Sequence, residues 1–252
     1  RYMSCASCHN DGGADGRVWD LKAQGEGLRN TISLRGRSGA MGRLHWSNNF
    51  DEVQDFEGQI RALAGGTGLM SDATFFAGTR SQPLGDAKAG QSADLDALAA
   101  YVASLNAFDV SPNRPSAGAL SAPAAEGRQA FIANNCAACH SGNAFSRSGA
   151  DNPANVGTIK PTSGERLYGA LTGIDVPTLR DVWATAPYLH DGSAATLVAA
   201  IGAHATLSIA VADVPRLAAY LREIGSDEGP APAPGITTTI SPASATPAVA
   251  SF

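Results

Sequence analysis

Aromatic residues are scarce in this sequence, and long apolar runs are missing from it. Phenylalanine, tryptophan and tyrosine make up 6% of the 252 residues, although hydrophobic residues as a whole make up 44%. A core of this length with so few large rings lacks apolar bulk, which a buried cofactor would supply. No run of 18 apolar residues occurs, so the sequence predicts no membrane span.

Positive charge is also in short supply. Lysine and arginine number 18 against 23 aspartates and glutamates, which gives a formal net charge of -5. That balance argues against a nucleic acid as partner and favours a basic protein wherever charge guides an encounter. The length is enough for one large domain or two ordinary ones.

Cysteine is rare as well, and every cysteine lies in the same pattern. The four cysteines form two C-x-x-C pairs, and a histidine directly follows each pair. The first copy is Cys5, Cys8 and His9; the second is Cys136, Cys139 and His140.

Three chemistries use a C-x-x-C pair, and the histidine separates them. A thioredoxin-like redox pair needs only the cysteines, so the histidine would be incidental twice. A structural zinc site could take four cysteines, but His9 and His140 would stay unexplained, and no H-x-x-x-H occurs. Covalent c-type haem uses every residue, because the thiols bond its vinyl groups and the imidazole is the proximal iron ligand. We predict two c-type haems and keep a zinc-stapled binding module as a remote alternative.

The rest of the chain divides around these motifs. Residues 109–125 are rich in Pro, Ser, Ala and Gly and are typical of a linker. They separate a first domain, 1–108, from a second, 126–225, and a Pro/Ala/Thr-rich tail follows at 226–252.

The two halves share further landmarks, which indicate a duplicated unit. The letters L-A-A-Y occur at 98–101 and again at 217–220, each within a segment with helical spacing of apolar residues. An L-R pair ends at Arg35 in one half and at Arg180 in the other. Strand-like alternation is scarce. We therefore predict a mostly α fold of two tandem cytochrome c-like domains, each around one covalent haem, with long irregular loops.

The start of the chain suggests a missing segment. The second motif follows the helix-like stretch "AAEGRQAFIANN", whereas the first follows only "RYMS". We expect further domains or subunits upstream of Arg1. Because c-type haem is attached on the far side of the cytoplasmic membrane, we also expect a bacterial periplasmic or extracellular location.

The second half contains "PTLRDVWATAPYLHDGSAATL" at 177–197. With the two C-x-x-C-H halves, this stretch resembles the bacterial di-haem cytochrome c peroxidase and MauG-type superfamily over nearly the whole chain except the tail. The resemblance implies a Ca²⁺ ion held near Asn30, Thr185 and Pro187. It also implies that Trp46, in "HWSNN", carries electrons between the haems, although Ser and Asn replace the family's Asp and Gly there.

The catalytic part of the resemblance is weaker. The family's peroxidases carry a distal histidine shortly before the matching asparagine, and "VWDLKAQGEGLRN" has none. Glu57 lies in the region of the family's acid and is the one candidate catalytic residue, although it does not match in register. We therefore predict electron transfer with a redox protein as donor or acceptor. The alternative is a peroxidase-like oxidoreductase that reduces hydrogen peroxide at the first haem.

The remaining histidines are candidates for the far side of each iron. His204 lies where the family places the second haem's distal ligand, and the alternative is a surface imidazole. For the first haem, His45 and Met70 are rivals, and a five-coordinate iron with His45 in the core is the third possibility. His190 is expected to make structural or propionate hydrogen bonds.

The repeated arginines, Arg35 and Arg180, are candidate partners of the haem propionates. A solvated arginine is the alternative at each position. Their recurrence in both halves favours the propionates.

Overall fold

The computed structural model describes residues 3–36 and 42–232. In this part of the chain, helices outweigh strands, as predicted, and irregular loops with short 3-10 turns join them. No helix within these residues is long and apolar enough to span a membrane.

The α-helices are α1 Phe56–Ala62, α2 Asp72–Phe75, α3 Ala93–Ser104, α4 Ala122–Ala133, α5 Leu197–Gly202 and α6 Asp213–Arg222. The strands are β1 Val18–Asp20, β2 Leu28–Asn30, β3 Glu165–Arg166 and β4 Gly169–Ala170, paired as antiparallel β1–β2 and β3–β4.

Four helices begin directly after a serine or threonine. The side-chain oxygen of that residue accepts a hydrogen bond from a backbone N–H in the first turn, which the helix itself leaves unpaired. The capping residues are Ser71 before α2, Ser92 before α3, Ser121 before α4 and Thr196 before α5.

The core of the second half forms where α4 crosses α6. Gly127 permits the close approach, because a Cβ at that position would lie 1.9 Å from the carbonyl oxygen of Arg216. Around the crossing, Phe131, Phe145 and Tyr220 pack edge to face with centroid distances of 5.7 to 6.5 Å. Of these rings, Phe131 also lines the cavity described below.

The described part of the first half has a smaller apolar cluster. Met70, Phe75 and Leu95 are its buried members, and Ile60 and Leu98 pack against them. A small core of this kind fits the shortage of aromatic residues in the sequence.

The duplication inferred from the sequence is also visible in the backbone. Each C-x-x-C-H opens with a 3-10 turn, Cys5–Ser7 and Cys136–Ala138. After each L-R pair, the next peptide nitrogen donates to a carbonyl at the end of the closing helix: Gly36 to Leu105 at 2.6 Å, and Asp181 to Ile224 at 3.0 Å. The L-A-A-Y letters lie within α3 and α6 at the same distance from those two carbonyls.

The stretch predicted as a linker is partly ordered on the second half. Helix α4 begins at Ala122, inside residues 109–125. Upstream of it, the Ser111 hydroxyl donates to the Arg222 carbonyl at 2.6 Å, and the Ser226 amide donates to the Asp109 carbonyl at 2.7 Å. Of the predicted tail, residues 226–232 are described, and Ala231 N donates to Gly142 O at 3.0 Å. Residues 233–252 lie outside the described part.

Candidate functional site

A cavity of about 380 Å³ opens beside the second C-x-x-C-H motif. Apolar side chains from the α4–α6 core form much of its wall, including Phe131, Leu179, Leu197, Ile201 and Leu217. The candidate site residues on the wall are Cys136, Cys139, His140, Arg180, Thr185 and His204 from the second half and Asn30 and Trp46 from the first. An apolar wall with a few convergent polar groups is typical of a cofactor site.

The His140 ring is held in one tautomer. Its peptide nitrogen donates to the Cys136 carbonyl at 2.9 Å, and its Nδ1 lies 3.2 Å from the carbonyl oxygens of Phe145 and Pro177. Because a carbonyl can only accept, Nδ1 carries the hydrogen and Nε2 keeps the lone pair that a metal needs. Burial, and next the nearby charge of His204, lower the pKa of His140 to about 4, so the ring is neutral at neutral pH.

His204 lines the same cavity, and its ring carries the hydrogen on the same nitrogen as the His140 ring. It lies two residues beyond the end of α5, and its Nδ1 donates to the Ala200 carbonyl at 2.9 Å. Its Nε2 therefore keeps the lone pair as well. The structure thus brings His204 and His140 to one cavity, although the ligand role of His204 stays a prediction.

The first motif repeats this arrangement in a more exposed setting. The peptide nitrogen of His9 donates to the Cys5 carbonyl at 2.8 Å, and its Nδ1 lies 3.3 Å from the Gly13 carbonyl. Burial lowers the pKa of His9. Cys5 is exposed and Cys8 is half-buried, and no disulfide joins any of the four cysteines.

His45 lies near His9, and its imidazole is also fixed through Nδ1. That nitrogen lies 2.7 Å from Asn49 Oδ1, and the rings of Phe50 and Phe56 pack against the imidazole at 4.5 and 4.9 Å. Burial is the main cause that lowers the pKa of His45 to about 4, and the charge of His9 acts in the same direction. His45 therefore has the neutral state that a distal ligand requires, and its role as ligand of the first haem stays a prediction.

The structure gives two other first-half candidates well-defined contacts in the core. Met70 is 5% exposed and packs in the apolar cluster of the first half. Glu57 is fully buried; its oxygens accept from Arg61 Nε at 2.7 Å, Leu69 N at 2.8 Å and Met70 N at 3.2 Å. A structural role, holding the loop before α2, accounts for these contacts of the carboxylate.

The two repeated arginines already have protein partners. Arg35 pairs with Asp109. Arg180 is 8% exposed and donates to carbonyl oxygens after α6, among them Glu228 O at 3.0 Å. The same turn occurs at both arginines. The peptide nitrogen of Arg35 donates to the Ser33 hydroxyl, and that of Arg180 donates to the Thr178 hydroxyl. Propionate binding by either guanidinium stays a prediction.

The residues implied for calcium meet at the border between the halves. The Asn30 amide nitrogen donates to the Pro187 carbonyl, and Asn30 Oδ1 is buried without a partner in the described residues. Thr185 lines the same cavity as Asn30. Trp46 joins this border, because its Nε1 donates to Asn30 O at 2.7 Å and its carbonyl accepts from Asp175 N at 2.8 Å.

His190 differs from the other four histidines. Its Nε2 lies 2.7 Å from the hydroxyl of Ser163, and its Nδ1 is buried without a partner among residues 3–36 and 42–232. Burial lowers the pKa of His190 to about 4. The Ser163 contact agrees with the structural role expected for it.

Sequence reasoning missed a buried polar network near His45. Glu26 and Asn49 are each 3% exposed and are hydrogen-bonded to one another. The polar run "SNN" after Trp46 was the available signal, because three consecutive polar residues beside a buried tryptophan must find partners if they are buried too.

Comparisons with known proteins find cytochrome c-like similarity in the second half. A RoxA-like, cytochrome c-like family model matches residues 173–206. Hydrazine synthase subunit gamma from Kuenenia stuttgartiensis is 27% identical over 237 residues. That alignment covers 77% of this chain, and the chain spans 62% of the length of that relative.

Two solved structures resemble the fold. A structure of Kuenenia stuttgartiensis hydrazine synthase pressurised with xenon has a TM-score of 0.58 at 26% identity, covering 87% of this chain and 80% of that one. A MauG-like protein associated with microbial copper homeostasis has a TM-score of 0.53 at 22% identity, covering 88% and 82%, and supports the fold alone. Together these similarities support a cytochrome c-like fold at low identity, and the match to a cytochrome c-like family model implies covalent haem c.

Proposed function

We propose that this chain is a di-haem c-type cytochrome that transfers electrons, as a domain or subunit of a longer redox protein. The observation that carries the proposal is the repeated geometry of the two motifs. In both, the peptide nitrogen of the histidine donates to the first cysteine's carbonyl, and Nδ1 is bound to a carbonyl oxygen, which leaves Nε2 for iron. A redox dithiol or a four-cysteine zinc site gives no reason for this repetition.

The residues of the second half fit a haem. Cys136 and Cys139 would hold it covalently, His140 would bind the iron, and His204 would bind from the other side. The apolar cavity wall would keep water away from a bound haem, which would limit how far the surroundings must reorganise when the charge of the iron changes. A bound haem supplies the one-electron couple between Fe(III) and Fe(II).

The residues of the first half fit a haem in the same way. Cys5, Cys8 and His9 would hold it, and His45 would take the distal position. Phe50 and Phe56 support the His45 ring from two sides. Trp46 directly follows His45 in the chain and also lines the cavity of the second half, so it connects the candidate distal ligand of the first haem to the second site.

The setting of the protein follows from the same chemistry. Because c-type haem is attached outside the cytoplasm, we place the chain in the bacterial periplasm or outside the cell. The gamma relative is named as a subunit of hydrazine synthase. We therefore propose that a redox protein donates electrons to this chain or accepts them from it, within an assembly or in a transient complex.

Spectroscopy of the ferric protein tests the function. We expect two low-spin ferric signals, since two neutral imidazoles would saturate each iron, and we expect reversible one-electron reduction of both haems. Turnover with hydrogen peroxide should stay near that of free haem. A high-spin first haem with rapid peroxide reduction would replace electron transfer by the peroxidase alternative.

We also propose a Ca²⁺ site at Asn30, Thr185 and Pro187. The amide of Asn30 contacts the Pro187 carbonyl, while its buried oxygen lacks a partner in the described chain. Turning the amide by 180° would put two oxygens together, an arrangement that a hard cation stabilises.

Calcium titration of the chelator-treated protein tests this site. We expect one ion per chain and at least a tenfold weaker affinity in Asn30→Leu, which removes the side-chain oxygen. Asn134→Leu, which changes another amide in the lining of the cavity, one that donates to Asp213, is the control and should bind as the wild type does. Equal affinity in both variants, or no binding at all, would contradict the proposal.

A further inference from the structure

A buried hydrogen-bond path connects His45 to a carboxylate in the first half. Nδ1 of His45 lies 2.7 Å from Asn49 Oδ1, and Asn49 Nδ2 donates to Glu26 Oε1 at 2.8 Å. Asn49 and Glu26 are both 3% exposed, so water does not compete for these contacts. The path is continuous and ends on an acidic group.

The chemistry of Glu26 fixes the direction of every bond in the path. Its oxygens receive donors on both sides, with Arg29 Nη2 at 2.8 Å and the Ser47 hydroxyl at 2.7 Å on Oε2. A carboxylate that receives such donors accepts only, so Asn49 must turn its NH₂ towards Glu26 and its oxygen towards His45. That oxygen also accepts only. Nδ1 of His45 therefore carries the hydrogen, and the lone pair is on Nε2.

The second half completes this arrangement. The peptide nitrogen of Glu165 donates to the Glu26 carbonyl at 3.1 Å, and that of Leu167 lies 3.4 Å from Glu26 Oε1. Arg29, the cationic partner of Glu26, also donates to Glu165 O in β3 at 2.9 Å, and to Ser163 O just before the hairpin at 2.6 Å. The β3–β4 hairpin thus holds both members of the ion pair in place.

We propose that Glu26 is a positioning residue that, through Asn49, fixes the His45 tautomer able to bind haem iron, and that the β3–β4 hairpin locks Glu26 in this role. Orientation of a metal-binding histidine by a carboxylate is a general device, and here an amide lies between the two groups. The inference rests on the proposed function, because it needs a haem on Cys5 and Cys8. The contact between the β3–β4 hairpin and Glu26 would thus let the second half influence the ligand of the first haem.

Variants along the path separate the effect on His45 from general damage. In Glu26→Gln, the new amide can donate to Asn49 Oδ1, so Asn49 can turn and the His45 proton can move to Nε2. In Asn49→Leu, Nδ1 loses its acceptor altogether. We expect both to convert most of the first haem from low spin to high spin, as His45→Ala does. Ser47→Ala removes a bond to Glu26 that is not on the path and should keep the wild-type spectrum.

The hairpin has its own matched pair of variants. A Cβ on Gly164 would lie 2.4 Å from the Glu26 carbonyl oxygen and 2.6 Å from Gly27 Cα, whereas the nearest atom to a Cβ on Gly169 is 3.4 Å away. Gly164→Ala should therefore displace the hairpin and raise the high-spin fraction of the first haem. Gly169→Ala, at the start of β4, should leave it unchanged.

Optical and EPR spectra of the full ferric protein provide the measurement, and the signal of the second haem reports in each variant that the chain is folded. If His45→Ala changes the first haem but Glu26→Gln and Asn49→Leu do not, the positioning role is overturned and the ligand assignment stands. If His45→Ala itself changes nothing, the ligand assignment fails, and the inference fails with it. If the path variants act but Gly164→Ala does not, the hairpin's part is overturned.

Discussion

Two haems should remain on the chain after denaturation and acid-acetone extraction, and one should remain after both Cys136 and Cys139 are replaced by alanine. Thioether bonds survive the loss of the fold, whereas ligation by histidine does not. Mass spectrometry of the denatured protein measures the haem number directly. We expect the mass increment of the double variant to be half that of the wild type.

The same substitutions should also lower stability. The cavity beside the second motif is lined by Leu197, Ile201 and Leu217, and a covalent haem would fill the space between them. A group that binds only the folded chain stabilises it, so its loss should lower the thermal midpoint of the second half. Unfolding followed by circular dichroism would report this change.

The first motif supplies the matched variant. Replacing Cys5 and Cys8 should also remove one haem, with a smaller loss of stability, because Cys5 is exposed and the apolar cluster of its half is small. Complete loss of haem from the wild type on extraction would contradict covalent attachment. Retained zinc without haem absorption would favour the zinc-stapled module instead.

Local features of the fold could be predicted from sequence because their causes are local. The segments with helical spacing at 94–106 and 213–225 correspond to α3 and α6. The duplicated C-x-x-C-H and L-R pairs give the same backbone hydrogen bonds in both halves, because identical short sequences meet equivalent closing helices. Residue type and spacing were sufficient for these features.

Other features depend on distant contacts and could not be predicted in the same way. Glu57 lies in the sequence region of the family's acid, yet its carboxylate accepts hydrogen bonds from the loop that carries Leu69 and Met70. The pairing of Glu26 with Asn49 spans 23 positions and depends on the packing of the β3–β4 hairpin. No local pattern encodes which buried acid meets which buried amide.

The position of His204 could be predicted from sequence only in part. His204 lies seven residues after Leu197, a spacing that in one continuous helix would put both on the same face, but α5 ends at Gly202 and His204 follows it. The chain still bends the imidazole towards the cavity, because Nδ1 donates back to the Ala200 carbonyl within the last turn. The residue therefore lines the cavity predicted for it through a bond at the helix end and not through helix periodicity.

His204→Ala should convert the second haem from low spin to high spin. In the wild type, His140 and His204 each present an Nε2 lone pair to the same cavity, and two neutral imidazoles saturate a ferric iron. Removing one imidazole leaves an open position that only water can fill, and water is the weaker ligand. EPR should show loss of most of the low-spin signal of that haem and the rise of a high-spin signal.

Two further variants decide whether His204 acts as a ligand or as a structural residue. His204→Met should keep the second haem six-coordinate and raise its reduction potential, because a thioether favours Fe(II) more than an imidazole does. His190→Asn should leave the spin state unchanged, since Nε2 of His190 is already in hydrogen-bond contact with the Ser163 hydroxyl, whereas the four candidate ligands make their contacts through Nδ1. If the His204 variants leave the spectrum unchanged while His190→Asn alters it, His190 is the distal ligand. In that case the tautomer polarity seen at His9, His45, His140 and His204 would not be what selects a haem ligand in this chain.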